Sequence, residues 1–263
     1  SGSAGCALVG TLAAKTDGNI LLIEAGDWDT APSIDDPKIW FTNLGTERDW
    51  GDVAVPSAGV NNRAIPEHTG RVVGGGSSIN ATIWAPPTKS DLDNWAAVSG
   101  DASWGYEASR EIEDKGFGLM NQIIKDGRRN SMARAFLYPV LGMENVTLLV
   151  NTSVNRIVVE GDAAVGLECT RDGQTVTFRA SREIILSAGG FNTPKLLMLS
   201  GIGDEADLAT HGIANVLNAP EVGRNVQDHI LHGGCLFEAP EPVDYRNSAA
   251  NISGYFKTDA ALD

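Results

Sequence analysis

The chain has 263 residues, 42% of them hydrophobic and 21% charged, which excludes a disordered polymer and suits one large domain or two modest ones. A formal net charge of −14 and a sequence pI near 4.6 set a surface that repels phosphate backbones and anionic membranes, so nucleic acid is not an expected partner. No apolar run reaches the roughly 18 residues of a membrane span, and Cys6, Cys169 and Cys235 are too scattered for a disulfide framework or a metal site.

In chain order, Ser1-Gly2-Ser3-Ala4-Gly5-Cys6 opens as a turn feeding a helix of small residues that runs to Ala14. Asn19–Glu24 (NILLIE) is a short apolar run ending in an acid, the pattern of a buried parallel strand. A loop-rich stretch with tryptophans and prolines follows to about Pro66. Gly70–Asn80 is a glycine–serine cluster, and Asp91–Ala97 begins a helical pattern.

From Asn145 the period changes. Val146–Asn151, Arg156–Glu160, Ala164–Thr170 and Thr175–Ala180 are predicted strands, with Arg171-Asp172-Gly173 as a hairpin turn. Glu183–Ser187 (EIILS) is a further buried-strand candidate. Thr193-Pro194 is expected to open a helix over Lys195–Leu199, with proline at the favoured first position. Strand and helix, then a meander, then strand and helix again predict an α/β fold with an antiparallel insertion.

Two glycine-rich places carry the chemistry. Gly2 and Gly5 have the spacing of the second and third glycines of G-x-G-x-x-G, where one lets backbone approach a pyrophosphate and the other packs the helix. The first glycine and its strand would lie upstream of Ser1. Glu24 ends the next strand, where an acid takes ribose hydroxyls and repels a 2′-phosphate. That disfavours NADP without separating NAD from FAD. A small-residue helix that simply precedes an acidic strand end fits the same residues.

Longer segments make a resemblance specific. Gly70 to Pro87 (GRVVGGGSSINATIWAPP), with Asp93 beyond, resembles the first signature of the glucose–methanol–choline (GMC) oxidoreductase family. Ser187 to Gly203 (SAGGFNTPKLLMLSGIG) resembles the second and departs from it at Gly190. Gly223 to His229 (GRNVQDH) is similar to the family's G-x-N-L-Q-D-H, and Gly127–Ser131 (GRRNS) and Asn151–Val154 (NTSV) fall in the expected order. The resemblance implies a Rossmann-like FAD-binding domain, parallel sheet plus antiparallel meander, with the start of a second, α+β substrate domain. On that basis residues 1–98 and 145–235 are the two parts of the FAD domain. Residues 99–144 are a shortened substrate region, and 236–263 begin the substrate domain.

It further implies that Gly2, Ser3, Ala4, Gly5, Glu24, Arg71, Gly75, Gly76, Asn80, Ala81, Ile83 and Trp84 contact FAD. Val154 would meet the adenine and Ala188 would pass near the adenosine part. Ser77 and Ser78 add hydroxyls, and the Asn80 amide can donate to and accept from a flavin edge. Some relatives attach flavin through a histidine at the position of Ile79, so non-covalent FAD is expected here.

The implied activity is oxidation of an alcohol CH–OH by hydride transfer to flavin N5, with oxygen or another acceptor taking the electrons. The segment Trp84–Trp95 is closest to the choline-oxidising branch, and a cytoplasmic location is expected. A lyase or decarboxylase on the same scaffold, or a catalytically incomplete FAD-binding fragment, stays open. The family's C-terminal catalytic histidine has no counterpart here, so no catalytic residue is assigned. His68 could approach the flavin but suits loop packing, His211 suits a neighbour of a helix C-cap, His229 belongs to the Q-D-H element, and His232 carries no signal. Trp40, Phe41, Trp50 and Trp84 reach a pocket or pack loops.

Overall fold

The computed structural model describes residues 1–109, 116–119, 121–228, 238, 240 and 252–255. Helix α1 (Ser3–Leu12) starts where the small residues predict it. Strand β1 (Ile20–Ile23) follows, then an antiparallel hairpin of β2 (Asp52–Ser57) and β3 (Arg63–Glu67), and helix α2 (Lys89–Ser99). Strand β4 (Val146–Leu149) lies parallel to β1, with Ile20 opposite Val146 and Ile23 opposite Leu149. The N–H of Glu24 extends this ladder to the Leu149 carbonyl at 2.8 Å.

The meander is β5 (Thr152–Glu160), β6 (Ala163–Arg171) and β7 (Gln174–Arg179), paired antiparallel in the order β7-β6-β5. Its predicted turn holds: Asp172 and Gly173 sit at φ 50° and 74°, the twin left-handed conformation that suits the twist of a tight hairpin. Helix α3 (Gly189–Leu199) and helix α4 (Glu205–Thr210) complete the described part of the chain's later half. Gly116–Leu119 also pairs antiparallel with Ile252–Tyr255.

The main core fills the space between α1 and the β1–β4 pair. Cys6, Val9 and Ala13, three to four residues apart on one face of α1, meet Val73, Ala133, Leu137 and Val146. Ile20, Leu22 and Leu148 close it from the sheet. Gly10 lets α1 lie on the segment Ala133–Leu137, because a Cβ there would stand 2.6 Å from the Phe136 carbonyl oxygen. Helix α2 begins with a reciprocal cap between Thr88 and Asp91 and ends at Gly100 in the left-handed conformation.

Three expectations need correction. Residues 183–187 form no ladder with any described residue, and Ile185 is 52% exposed. Apolar run length cannot tell a paired strand from a segment whose N–H and C=O groups meet no neighbouring edge. Helix α3 starts at Gly189, so Pro194 lies inside it and not at its first position. The N–H that proline lacks would have donated to the Gly190 carbonyl, so the helix gives up one i→i−4 bond in its second turn. Finally, the stretch expected to be loop contains the β2–β3 hairpin, whose turn places Asn61 and Asn62 at φ 55° and 54°.

Candidate cofactor site

At one end of the site, two glycine turns touch backbone to backbone. Gly75 sits at φ +54°, and a Cβ built on it would lie 2.7 Å from Gly2 Cα. The Gly74 N–H donates to the Ser1 carbonyl at 2.8 Å. Gly2 caps α1 in an extended conformation with no side-chain cap, and the first bond of the helix runs from the Cys6 N–H to the Gly2 carbonyl at 2.9 Å. The N–H groups of Ser3, Ala4 and Gly5 are therefore left without an acceptor among the described residues, at the positive end of the helix dipole. Gly76 has open space where a Cβ would stand.

Glu24 closes one side of this cradle. It is 7% exposed and accepts the Gly26 N–H at Oε1 and both the Ser1 amino group and hydroxyl at Oε2, each at 2.9 Å. Three of roughly four lone-pair sites are engaged, which leaves one for an incoming hydroxyl. The Thr152 N–H donates to the Glu24 carbonyl at 2.9 Å, which brings the start of β5, and Val154 two residues on, to the same strand end. On the opposite side the Ser187 carbonyl stands 3.6 Å from a Gly2 Cβ position. The Ala188 N–H beside it is already taken by Thr193 Oγ1 at 3.1 Å.

The other end of the site is held by side chains. Arg129 is 1% exposed, and its Nε donates to the Ile34 carbonyl at 2.8 Å. Nη1 donates to the Ser77 carbonyl at 3.1 Å and Asn80 Oδ1 at 2.8 Å, and Nη2 to the Asn80 carbonyl at 2.8 Å. Burial, aided by the charge of Arg134, pushes this guanidinium down to about 10, so it stays charged at neutral pH. Asn80 Oδ1 also accepts the Thr82 N–H at 3.0 Å. Thr82 is fully buried at φ +62°, a strained conformation for a β-branched residue.

Sequence reasoning placed Arg129 within a matching element but gave it no role. The only local signal was a pair of arginines after a glycine, and nothing nearby names its partners 49 residues away. Ile79 is 2% exposed and packs with Ile34 and Val72. Ala81 offers its carbonyl to the Thr82 hydroxyl at 2.7 Å, and Ile83 bridges to Gln122. Trp84, 50% exposed, lines a cavity of about 300 Å³ with Ile123, Asn130, Met132 and Phe136. Trp40, Phe41 and Trp50 do not line it. Trp40 and Phe41 pack edge to face, and Arg71 lies over the Trp50 ring at 5.5 Å.

His68 Nδ1 meets Asp49 Oδ2 at 2.6 Å. Burial of Asp49 opposes its charge, but N–H donation from Gly45 and Gly51 and contact with His68 outweigh it and hold the carboxyl below its usual range. His211 is itself the C-cap of α4, where a neighbour of the cap was expected. His229, His232 and Cys235 lie outside the described residues. Burial pushes the thiols of Cys6 and Cys169 up to about 11, so neither is a ready nucleophile. Among the described residues no helix is long and apolar enough to cross a membrane, and no cluster of three or more metal-ligating side chains occurs.

Comparison with known proteins points the same way. The GMC oxidoreductase family profile matches residues 1–116 and 107–231. An oxygen-dependent choline dehydrogenase of Rhizobium johnstonii is 34% identical over 284 aligned residues, covering 88% of this chain and 52% of that protein. The crystal structure of pyridoxine 4-oxidase from Mesorbium loti superposes with a TM-score of 0.92 at 29% identity, covering 98% of this chain and 62% of the other. An FAD-dependent oxidoreductase from Chaetomium thermophilum superposes with a TM-score of 0.73 at 27% identity, covering 86% of this chain and 51% of the other. The chain thus spans about half the length of the curated relatives it matches. With a family match over most of its length and a fold that superposes almost throughout, the chain belongs to the GMC oxidoreductase family.

Proposed function

We propose that this chain is the FAD-binding part of an enzyme that oxidises the CH–OH group of a small alcohol, and that it holds FAD without a covalent bond. The observation that carries this reading is the contact of Gly75 with Gly2 beside three unpaired N–H groups of α1. A Cβ on Gly75 would strike Gly2 Cα and force the two turns apart, and the free N–H groups and helix dipole favour the charge of a diphosphate. In this reading Ser3, Ala4 and Gly5 hold the diphosphate through backbone N–H groups, and Glu24 takes ribose hydroxyls. The Val154 backbone meets adenine, and Ala188 borders the adenosine. Arg71, Gly76, Asn80, Ala81, Ile83 and Trp84 lie along the flavin end.

Bound flavin supplies hydride acceptance, which no amino-acid side chain can provide. The protein's own work is to fix the dinucleotide, to shield the flavin end with Ile83 and Trp84, and to offer a fixed polar edge at Asn80. Ile79 supports non-covalent attachment: it has no nucleophilic atom, and it is buried in a small apolar cluster. Its relatives named for choline and pyridoxine suggest a primary alcohol as substrate, with oxygen or another acceptor to reoxidise the flavin.

The test is an absorbance spectrum followed by heat precipitation. Visible flavin bands whose colour passes to the supernatant are the expected result, as is bleaching by a primary alcohol under anaerobic conditions. Colour retained in the pellet would mean a covalent link. A protein that is colourless and takes up no added FAD would end the cofactor reading.

A further inference from the structure

We infer that Arg129 is a positioning residue for the cofactor: it locks the Asn80 amide so that a hydrogen-bond donor, not an acceptor, faces the flavin. This rests on the FAD reading above and assigns the polarity of its flavin end.

A guanidinium and a backbone N–H can only donate. Asn80 Oδ1 lies 2.8 Å from Arg129 Nη1 and 3.0 Å from the Thr82 N–H, so the atom between them has to be the oxygen. The usual ambiguity between the two ends of a carboxamide is settled by that pair of donors. Trigonal geometry at Cγ then sends Nδ2 to the other side, where it has no partner among the described residues. Asn80 itself is exposed, although the atoms that hold it are buried.

Arg129 cannot easily turn away. Its second nitrogen holds the Asn80 carbonyl, fixing the backbone and the side chain of the same residue from one planar fork. Nε and the other N–H of Nη1 donate to the Ile34 and Ser77 carbonyls, which tie the guanidinium to two further segments. Among the described residues no carboxylate accepts from it, and its partners there are carbonyl oxygens. Burying such a group is unfavourable unless its donors are met, and here the partners are the loop itself. The left-handed Thr82 completes the arrangement by turning its N–H back onto Oδ1. The product is an amide N–H₂ presented at the flavin end, suited to an acceptor atom on the rim of the ring system.

The discriminating variant is Asn80→Asp. It keeps the shape, still accepts from Arg129 and Thr82, and gives the buried cation a carboxylate, so the apoprotein should melt at or above the wild-type temperature. It replaces the donor by a second acceptor, so FAD affinity should fall by roughly tenfold or more. The reduction potential of the flavin that does bind should drop, since a donor that favours the anionic reduced ring has become a negative charge. Arg129→Lys should also weaken FAD, because one ammonium cannot span Oδ1 and the carbonyl together. A merely structural role predicts that apoprotein stability and FAD affinity move together. Asn80→Asp binding FAD at wild-type strength with an unchanged potential would overturn the inference while leaving the cofactor reading intact. Wild-type protein that binds no FAD would overturn both.

Discussion

The two ends of the candidate site are built by opposite means. Around Gly2 and Gly75 the fold removes side chains, so that two turns meet through backbone atoms and leave N–H groups bare. Around Asn80 it adds one: a single arginine from a distant segment reaches in and holds the loop by four hydrogen bonds. The first design tolerates no added volume at Gly75, whereas the second depends on which groups donate and which accept. A site can therefore be damaged in two independent ways, and the damage should look different.

The largest expected effect comes from Gly75→Val. Its Cβ would press on Gly2 Cα in a conformation that β-branched residues avoid, so stability should fall by about 3 kcal/mol or more, with loss of flavin binding. A melting curve with and without FAD measures both. If the variant melts like the wild type, the backbone contact is not what closes the cradle. A milder test concerns the turn leading into Gly70, which Asp49 holds through the Gly45, Gly51 and Thr69 N–H groups and His68.

Asp49 has a carboxyl depressed in the folded state. Its contribution is present above the ordinary carboxylate range near 3.8 and is lost as pH falls through the lower, folded value. Asp49→Asn should therefore be less stable than the wild type at neutral pH, with the gap closing only below about pH 4. Denaturant midpoints across that window decide it, and a gap that persists unchanged to the lowest pH would mean that the charge of Asp49 is not what holds the turn. The smallest effect is expected at the Glu160–Arg179 pair of the meander, which is fully exposed. Glu160→Gln should shift the melting temperature by no more than about a degree and leave FAD affinity unchanged.

The same contrast explains what was legible in the sequence. Gly2, Gly5 and Glu24 stand out in the sequence because backbone approach leaves its mark as missing side chains at fixed spacing. The meander was found because Asp172-Gly173 is a turn with a stereochemical reason. The role of Arg129 is not legible, because three of its four bonds go to backbone carbonyls of Ile34, Ser77 and Asn80, which have no letter in a sequence, and the fourth goes to an amide 49 residues away. The β2–β3 hairpin hid for a milder reason: Asn61-Asn62 lacks the glycine that usually announces two left-handed residues. Residues 183–187 misled in the other direction, since their apolar run is real but the neighbour that would make it a strand is a property of the fold.

The pairing of Gly116–Leu119 with Ile252–Tyr255 sets a clock on synthesis. A ribosome adding about 5–20 residues per second needs roughly 10 s between releasing Leu119 and releasing Ile252. Through that interval the earlier strand has an open edge and no mate, while the segments that build the glycine cradle are already out. The two glycine turns can thus meet before the middle of the chain has its mate, and until Ile252 emerges that edge stays open to other chains.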